Sequence, residues 1–461
     1  MTNGSNNNQP VKLARVLGLP ALVIYGLVLI QPTAPMPLFG VAAAKADGHV
    51  ATLILIGMVA MFFTALSYGR MANVYPSAGS AYTYVGRELH PSLGYVTGWS
   101  MMFDYVMNPV ICVIWCSKAT ADLGVMPLVP LQAWFLFYAL LFTSLNLRGI
   151  KASARTNNVI AGGLFIVIIW FLVVAVRYLI QHPPAGTADW IRPFYDPGTF
   201  SLSAVSSGAA LAVLTYIGFD GISTLAEETH NPRRNILLAT VLVCIITGIL
   251  ATVQVYMAQM VWPEPASQFP SLENAFAHVA KRAGGQTLFS VLTVALLVAS
   301  MGSGMGAHLG AGRLLYGMGR DSAIPKRFFG HLNPRTHVPS YNIILVGGIA
   351  LVGAFLLDLN KSGYDRGAQL VNFGAMVGFM GVNLSALTHY FIRGHNRRWH
   401  HLVVPLLGFS ICFYLWVHLS PVALIIGVSW LLLGLLYGAW RTNGFRKPLT
   451  IFKGDETGAE T

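Results

Sequence analysis

The chain has 461 residues, of which 55% are hydrophobic and only 10% are charged, and its formal net charge is +12. Soluble domains carry roughly 25% charged residues, so this composition excludes an ordinary soluble protein and indicates a chain embedded in a lipid bilayer. The positive charge does not indicate a nucleic-acid partner, because it is concentrated in loops on one side of the predicted membrane spans.

Charge-poor segments predict where the chain crosses the membrane. A spanning helix needs about 20 mostly apolar residues, and we predict twelve such helices. They lie at approximately 16–44, 50–69, 91–118, 128–147, 156–180, 203–228, 236–262, 286–314, 339–357, 367–392, 402–418 and 421–440. This pattern predicts one transmembrane domain over 16–441, with a disordered tail at 1–15 and a second tail at 442–461.

The distribution of Lys and Arg predicts the orientation of these spans. With residue 1 inside the cell, 21 of the 29 Lys and Arg residues fall on the inner side. Cytoplasmic loops of membrane proteins carry this excess of positive charge. We therefore predict that both termini are cytoplasmic and that the protein lies in the inner (plasma) membrane of a bacterial-type cell.

Two of the predicted spans are interrupted near their middle. The first span is broken at 31–37, where three prolines in seven residues remove hydrogen bonds that a helix needs. The sixth span is broken at 218–221, which reads GFDG. Backbone groups freed inside a membrane are tolerated only where they face protein or a water-filled cavity. Broken spans at matching positions in two halves of a chain point to the substrate site of a secondary transporter.

Ionisable residues inside spans are candidates for chemistry, because charge at membrane depth is costly and usually functional. Asp220, in the second break, could attract an ammonium group or a proton, or could cap the helical segment that follows it. Asp104, in the third span, could hold a substrate amine or be hydrogen-bonded inside the bundle. His308, in the eighth span, could relay protons or be a packing residue.

Glu227 and Glu228 follow the second break by one to two helical turns. Neighbouring side chains on a helix point about 100° apart, so at most one of these two glutamates can face a pathway. One of them could carry protons. Alternatively, they form salt bridges with Arg233 or Arg234 at a cytoplasmic gate.

Aromatic and small residues complete the set. The rings of Tyr105, Tyr216 and Phe219 could cover a cation or could pack inside the bundle. Glycines at 302, 306 and 310 recur every four residues and predict the close approach of another helix.

No enzyme motif, cofactor motif or metal-ligand pattern occurs, so we expect neither catalysis nor a cofactor. A channel is the remaining alternative, although two asymmetric breaks suit alternating access better than a pore.

Five stretches give the chain a resemblance to the amino acid–polyamine–organocation superfamily, and it looks closest to the bacterial putrescine importers within it. The resemblance runs from about residue 16 to 441. The stretches are 75–84 (YPSAGSAYTY), 104–105 (DY), 218–229 (GFDGISTLAEET), 307–321 (AH followed by RLLYGMGRD) and 371–375 (VNFGA).

The resemblance implies an all-α, leucine-transporter-like fold in which spans one to five and six to ten form two inverted repeats. The substrate would lie between the broken spans one and six and spans three, eight and ten. The implied function is alternating-access import of amino acids or small polyamines, coupled to protons or to sodium. The candidate substrate-binding residues are Gln31, Pro32, Thr33, Ala34, Asp104, Tyr105, Tyr216, Gly218, Phe219, Asp220 and Gly221, and the candidate coupling or gate residues are Glu227, Glu228 and His308.

The chain departs from the family pattern in three ways. Amino acid transporters of the superfamily often hold the substrate carboxylate on backbone amides of the first break, where the prolines of this chain have no N–H to donate. Putrescine importers carry an Asp after that break, where this chain has Pro37. Some proton-coupled relatives place a Lys in span five, where this chain has Leu164, so Asp220 or Glu228 would have to titrate instead.

Overall fold

The computed structural model describes residues 17–76, 80–148, 154–320, 324–334, 336, 338–394 and 397–444. The side chains of residues 154–158, 224, 227, 228 and 360 lie outside this description. The tail predicted at 1–15 and most of the tail predicted at 442–461 also lie outside the described residues.

Sixteen α-helices account for most of the described residues. They are α1 (Leu19–Ile30), α2 (Pro35–Lys45), α3 (Val50–Val74), α4 (Ser80–Glu88), α5 (Pro91–Asp122), α6 (Leu131–Leu147), α7 (Ala154–Gln181), α8 (Thr187–Ile191), α9 (Leu202–Ala212), α10 (Pro232–Val261), α11 (Ala275–Arg320), α12 (Lys326–Phe329), α13 (Ser340–Leu357), α14 (Gly363–Leu387), α15 (Trp399–Val417) and α16 (Pro421–Arg441). Short 3-10 helices lie at Val213–Tyr216, Phe219–Glu228, Ala266–Gln268 and Asp358–Asn360, and a π-helical turn, Thr388–Ile392, follows α14.

The helices are long and apolar enough for a membrane protein. Within the described residues, ten helical segments can cross a membrane by length and composition, and the bent pair of α1 and α2 makes an eleventh. The helix α6 is apolar as well but has only 17 residues. The all-α membrane class predicted from composition is therefore confirmed.

The eighth predicted span, 286–314, belongs to a longer helical segment. The helix α11 covers 46 residues, and Gly285 interrupts it with φ 76° and ψ −171°. An L residue with a side chain rarely adopts this positive φ, so glycine suits the position. Residues 275–284 therefore form a separate helical piece before the span. Hydropathy did not predict this piece, because it contains Lys281 and Arg282.

The sequence predicts that Gly302, Gly306 and Gly310 contact another helix, and this prediction is wrong for Gly302 and Gly306. A Cβ atom added to Gly302 or to Gly306 would meet no atom within 4 Å. At Gly310 an added Cβ would lie 3.1 Å from the ring of Tyr105. The tightest approach in this region is at Gly304, where an added Cβ would lie 2.7 Å from Cys112 and 2.8 Å from Phe142. The turn of a helix that meets its neighbour depends on the neighbour's position, which the spacing of glycines did not reveal.

The long helices pack as a bundle in which α3 lies along α10, and α5 lies along α11 and α14. The N–H of His230 donates to the carbonyl of Leu17 at 2.8 Å, which places the start of α1 beside the end of the second broken span. We call the face that carries Leu17 and His230 the terminal face. The other end of the bundle, which carries Lys118 at the end of α5, is called the opposite face.

The glycine contacts predict opposite effects for two neighbouring substitutions in α11. Gly304→Ala should destabilise the protein by about 1–3 kcal/mol, because the new methyl group overpacks a filled site. Gly302→Ala should leave stability unchanged or raise it by about 0.4–1 kcal/mol, since the methyl group meets open space and the unfolded chain loses freedom. Thermal unfolding of the purified variants in detergent measures both effects. Equal melting temperatures would contradict the packing described here.

Candidate functional site

The structure confirms the first break and narrows it. The helix α1 ends at Ile30, Gln31 has φ 67°, and α2 begins at Pro35 with its axis turned by 54°. The break therefore covers 31–34 and not 31–37. Proline is favoured in the first turn of a helix, where its missing N–H is not needed, so Pro35 and Pro37 begin α2 and do not interrupt it.

Side chains from distant helices hold the first break in place. The Nε2 atom of Gln254, a fully buried residue of α10, donates to the carbonyl of Pro32 at 3.0 Å. The Nε2 atom of Gln31 itself donates to the carbonyl of Ala299 in α11 at 2.9 Å. These two amides fix the break against both neighbouring helices.

The second break is a change of helix type followed by a turn. The helix α9 ends at Ala212 and continues as a 3-10 helix to Tyr216. Gly218 then adopts φ 120°, which only glycine tolerates easily, and a second 3-10 helix begins at Phe219. The Nδ2 atom of Asn372 in α14 donates to the carbonyls of Ala210 at 2.8 Å and Leu211 at 3.0 Å. One side chain thereby satisfies two carbonyls near the break.

The two breaks lie against each other. A Cβ atom added to Gly218 would lie 3.3 Å from the carbonyl oxygen of Leu29, and one added to Gly221 would lie 2.8 Å from the side chain of Leu29. The absence of side chains at both glycines therefore permits this contact. The two broken spans therefore meet here, as the family resemblance implied.

Two carboxyl groups lie beside the breaks. The backbone N–H groups of residues 218, 220 and 221 lie near the Asp220 carboxylate, an arrangement that is compatible with capping of its own turn. Asp104 is 8% exposed, and its backbone packs against Gly374 of α14. If both were ionised, the two carboxylates would repel each other. Among the described residues, no Lys, Arg or His side chain pairs with either one.

Of the three aromatic residues that the sequence analysis names as candidates, Tyr105 has the accessible ring. Its ring rests on Gly310 of α11. The side chain is 40% exposed although Tyr105 lies near the middle of α5. Gly306, on the same side of α11, also has open space beside it. Tyr105 and Gly306 therefore border space that no protein atom fills.

The other two predicted aromatic residues are buried. The Tyr216 hydroxyl donates to the carbonyl of Ile54 in α3 at 2.7 Å, so its ring faces α3. Phe219 is fully buried and packs edge-on against Tyr68 and at a tilt against Phe379. Neither ring lies where a cation could reach its face.

His308 contacts a helix that carries neither break. His308 is fully buried, and its Nε2 atom lies 2.8 Å from the carbonyl of Ile343 in α13. This contact joins α11 to α13. The backbone of Glu227 and Glu228 forms the end of the second 3-10 helix, but their side chains lie outside the described part of the chain.

A small central pocket of about 100 Å³ lies one turn from the carboxylates, toward the opposite face. Of the predicted residues, only Gln31 and Ala34 line it, whereas Pro32 and Thr33 do not. Both breaks and three other helices contribute to its wall. The lining residues are Leu29, Ile30, Gln31, Ala34, Pro37, Asn108, Ile111, Cys112, Trp115, Leu214, Ile217, Ser300, Ser303 and Tyr364.

Sequence reasoning missed several polar residues of this centre. Ser300, Ser303 and Asn108 line the pocket but carry no charge and stand in no motif. The hydroxyl of Tyr68 is buried without a hydrogen-bond partner and lies near Asp220. A tyrosine among apolar residues of a span gives no signal by itself, so only the packing of α3 against the second break reveals Tyr68.

Ion pairs close the bundle at the opposite face. Lys45 at the end of α2 pairs with Asp365 at the start of α14 at 2.8 Å. Lys118 pairs with Glu273 at 2.6 Å and with Asp358 at 2.7 Å. Farther out, Arg282 donates to Glu264 at 2.6 Å, and this contact holds the pKa of Glu264 below its usual range.

This architecture defines the chain as a polytopic membrane transporter: two broken helices meet at the centre of an apolar bundle around a small pocket. The family model described as "Amino acid permease" matches residues 37–446. The chain belongs to the amino acid permease family, and it is a transporter and not an enzyme.

Similar proteins of known name include transporters for different solutes. The chain is 36% identical to the low-affinity putrescine importer PlaP of Escherichia coli strain K12, over 97% of this chain and 98% of that one. It is 26% identical to the branched-chain amino acid permease BcaP of Bacillus subtilis, over 92% of each chain.

A solved structure with a similar fold is the Eremococcus coleocola manganese transporter in complex with an aromatic bis-isothiourea substituted compound. The TM-score is 0.55 and the identity 13%, over 95% of this chain and 97% of that one. At this identity the likeness concerns the fold alone. In the described residues of this chain, no group of three or more His, Cys, Asp or Glu side chains could hold a metal ion.

The contacts of Asn372 predict that it stabilises the second break. Asn372→Leu leaves two buried carbonyls without their donor, and each unsatisfied buried group costs about 1–3 kcal/mol. We expect a lower melting temperature and faster hydrogen exchange at 213–218. Asn235→Leu is the control, because it removes one exposed hydrogen bond to the carbonyl of His230. Equal exchange at 213–218 in the two variants would contradict the proposed support of the break.

Proposed function

We propose that this permease carries a small primary amine, such as a short diamine, across the membrane. The observation that supports this most directly is that neither Asp104 nor Asp220 pairs with a Lys, Arg or His side chain among the described residues, although the two would repel each other if both were ionised. Like charges repel strongly in a medium of low dielectric constant, so this pair needs a cation or a proton to neutralise it. An ammonium group can pair with the carboxylates and stack on the ring of Tyr105.

The hydrogen bonds of the first break argue against recognition of a carboxylate there. Pro32, Pro35 and Pro37 have no N–H group. The N–H of Ala34 already donates to the carbonyl of Gln31, and that of Met36 donates to Thr33, both at 3.0 Å. The break therefore presents few free N–H groups to an anion. An amine without a carboxylate suits it better than an amino acid.

Putrescine importers carry an Asp where this chain has Pro37. The absence of that carboxylate is compatible with an amine substrate. Pro37 lines the central pocket without adding charge. The negative charge comes instead from Asp104 of α5 and Asp220 of the second break, which lie one turn away. A short diamine could place one ammonium group beside these carboxylates and direct the rest of its length into the neutral pocket.

The fold that we propose has twelve spans with two inverted repeats of five. The bent pair α1–α2 and the segment α9 with its 3-10 helices would be spans one and six, and α6 would be a short fourth span. In support, α3 packs along α10 and α5 along α11, which are the corresponding second and third spans of the two repeats. The last two spans, α15 and α16, would be peripheral.

The transport cycle that we propose is alternating access with a proton as the coupling ion. Ion pairs of Lys45 and Lys118 close the centre at the opposite face, while open space reaches Tyr105. When the substrate leaves, a proton can replace it on the carboxylate pair, which favours proton coupling over sodium. Leu164, at the position where some relatives carry a Lys, is buried and apolar and offers no alternative charge.

The orientation that we propose follows the charge distribution of the sequence. The side richer in Lys and Arg is the terminal face, and positive loops remain in the cytoplasm. The terminal face is therefore cytoplasmic, the opposite face is outside, and the membrane is the inner (plasma) membrane of a bacterial-type cell.

The substrate assignment predicts that Asp220→Asn abolishes amine uptake. Loss of one partner of a desolvated ion pair costs about 2–5 kcal/mol, so putrescine uptake into proteoliposomes should fall more than about tenfold. Asparagine can still accept the backbone hydrogen bonds, so the melting temperature should change little. Asp189→Asn, in the short surface helix α8, removes the same charge outside the carboxylate pair; it is the matched control and should retain most uptake.

The same assay decides between amines and amino acids. Labelled putrescine and a panel of amino acids are compared with and without an inward proton gradient. Gradient-driven putrescine uptake that amino acids do not block supports the proposal. Amino acid uptake that putrescine does not inhibit, or normal putrescine uptake by Asp220→Asn, would overturn it.

The orientation predicts one-sided labelling of two engineered cysteines. Asn443→Cys at the terminal face should react with an impermeant maleimide only in inside-out vesicles, and Leu128→Cys, 96% exposed between α5 and α6, only in intact cells. The four native cysteines are buried and should contribute little background. The reverse pattern would show that the terminal face is outside.

A further inference from the structure

A large cavity opens at the opposite face, and its charge differs in sign from that of the whole chain. This vestibule has a volume of about 1260 Å³ and is lined by seven carboxylates but only four Lys and Arg side chains. The chain as a whole carries a net charge of +12. A cleft lined by one sign of charge concentrates ions of the other sign. The vestibule therefore favours cations.

The floor of the vestibule contains an ammonium group held by three oxygen atoms. The Nζ atom of Lys118 lies 2.6 Å from Oε1 of Glu273, 2.7 Å from Oδ1 of Asp358 and 3.3 Å from the carbonyl oxygen of Lys361. The ammonium group donates hydrogen bonds to Oε1 of Glu273 and to the carbonyl oxygen of Lys361, and it forms an ion pair with Asp358. The side chains of Lys118 and Glu273 are 11% exposed, and that of Asp358 is 6% exposed.

Other contacts fix the oxygen atoms of this ammonium cage. The N–H of Gly363 donates to Oδ1 of Asp358 at 3.1 Å. The indole N–H of Trp115 donates to the backbone carbonyl of Glu273 at 2.8 Å, which anchors the loop before α11. The cage keeps one excess negative charge when Lys118 occupies it. The cage is therefore preorganised for an ammonium group, and without one its two carboxylates would lack a counterion.

The cage lies between the two cavities. Lys118 lines the vestibule, and Trp115, one turn earlier on α5, lines the central pocket. A solute that passes from the vestibule to the centre must pass this turn of α5. The Lys118 side chain ends in the same CH2–NH3+ group as a primary alkylamine, so it has the shape and charge of the proposed substrate's end.

We propose that the cage of Glu273, Asp358 and the Lys361 carbonyl is an ammonium-binding site for the incoming substrate, and that Lys118 occupies it as a tethered substitute in this conformation. The inference rests on the proposed function, namely that the substrate is an amine. A substrate ammonium that takes these oxygens releases Lys118, which breaks the ion pairs of Lys118 with Glu273 and Asp358. Arrival of the substrate thereby loosens the closure at the opposite face.

The proposal is tested by removing the tethered ammonium. Lys118→Met keeps an unbranched side chain as far as the Cε position but removes the ammonium group and so empties the cage. Equilibrium binding of labelled putrescine to the purified variant should show a second bound molecule per chain, absent from the wild type. Methylammonium should displace this second molecule. Tetramethylammonium at the same concentration should not, because it has no N–H to donate.

A matched control separates the cage from the general charge of the vestibule. Lys361→Met removes a positive charge from the same cavity but leaves Lys118 in place, so it should bind no second molecule. If Lys118→Met binds no more putrescine than the wild type, or if tetramethylammonium competes equally well, the proposal is wrong. A second bound molecule in Lys361→Met would show charge attraction alone and would also overturn it.

Two further variants keep the test decisive. If empty cage carboxylates make Lys118→Met too unstable to purify, Lys118→Met with Asp358→Asn leaves a single carboxylate and should still bind a second molecule, more weakly. Lys118→Met with Asp220→Asn should lose the central molecule and keep the one in the cage. If Lys118→Met with Asp220→Asn binds no putrescine in the cage, this inference is wrong. If Asp220→Asn transports putrescine normally, only the proposed central site is wrong.

Discussion

The structure depends on how the backbone groups of the two broken spans are satisfied in an apolar environment. In a bilayer an unpaired N–H or C=O group costs several kcal/mol, so a break is possible only where side chains supply partners. Gln254 and Asn372 do this for carbonyls of the first and second spans, and Gln31 bonds in turn to α11. The same hydrogen bonds fix the positions of α10, α11 and α14. The architecture of the centre is therefore a consequence of satisfying the two breaks.

Charge is distributed unequally along the path through the bundle. At the centre, Asp104 and Asp220 have no positive partner among the described residues, whereas at the opposite face Lys45 and Lys118 pair with three carboxylates. Desolvated charge without a counterion is costly. Under the proposed function, the centre receives a cation and the ion pairs at the opposite face exchange partners with it. A cationic solute fits both features.

Similarity to known proteins establishes the family of this chain, whereas its own residues bear on the substrate. Identity of 36% over almost the whole length of a putrescine importer, together with the family match at 37–446, establishes the family. A TM-score of 0.55 at 13% identity establishes only a shared fold. The named relatives are a putrescine importer and a branched-chain amino acid permease, so membership of the family does not decide the substrate. The prolines of the first break and the paired carboxylates both favour an amine.

The sequence by itself determined the membrane class, most of the spans and the positions of both breaks, because these depend on local composition and on proline and glycine. It also identified Asp104, Tyr105 and Asp220, since charge and aromatic rings stand out in apolar spans. Only the tertiary structure decided which side of each helix faces the centre. It buried Tyr216 and Phe219 in the packing of a 3-10 segment, turned His308 toward α13, and brought Tyr68, Ser300 and Ser303 to the site. It also joined Lys118 to Glu273 and Asp358, which are more than 150 residues away. Such contacts depend on how helices rotate and pack against distant partners, and hydropathy along the chain contains no information about that rotation.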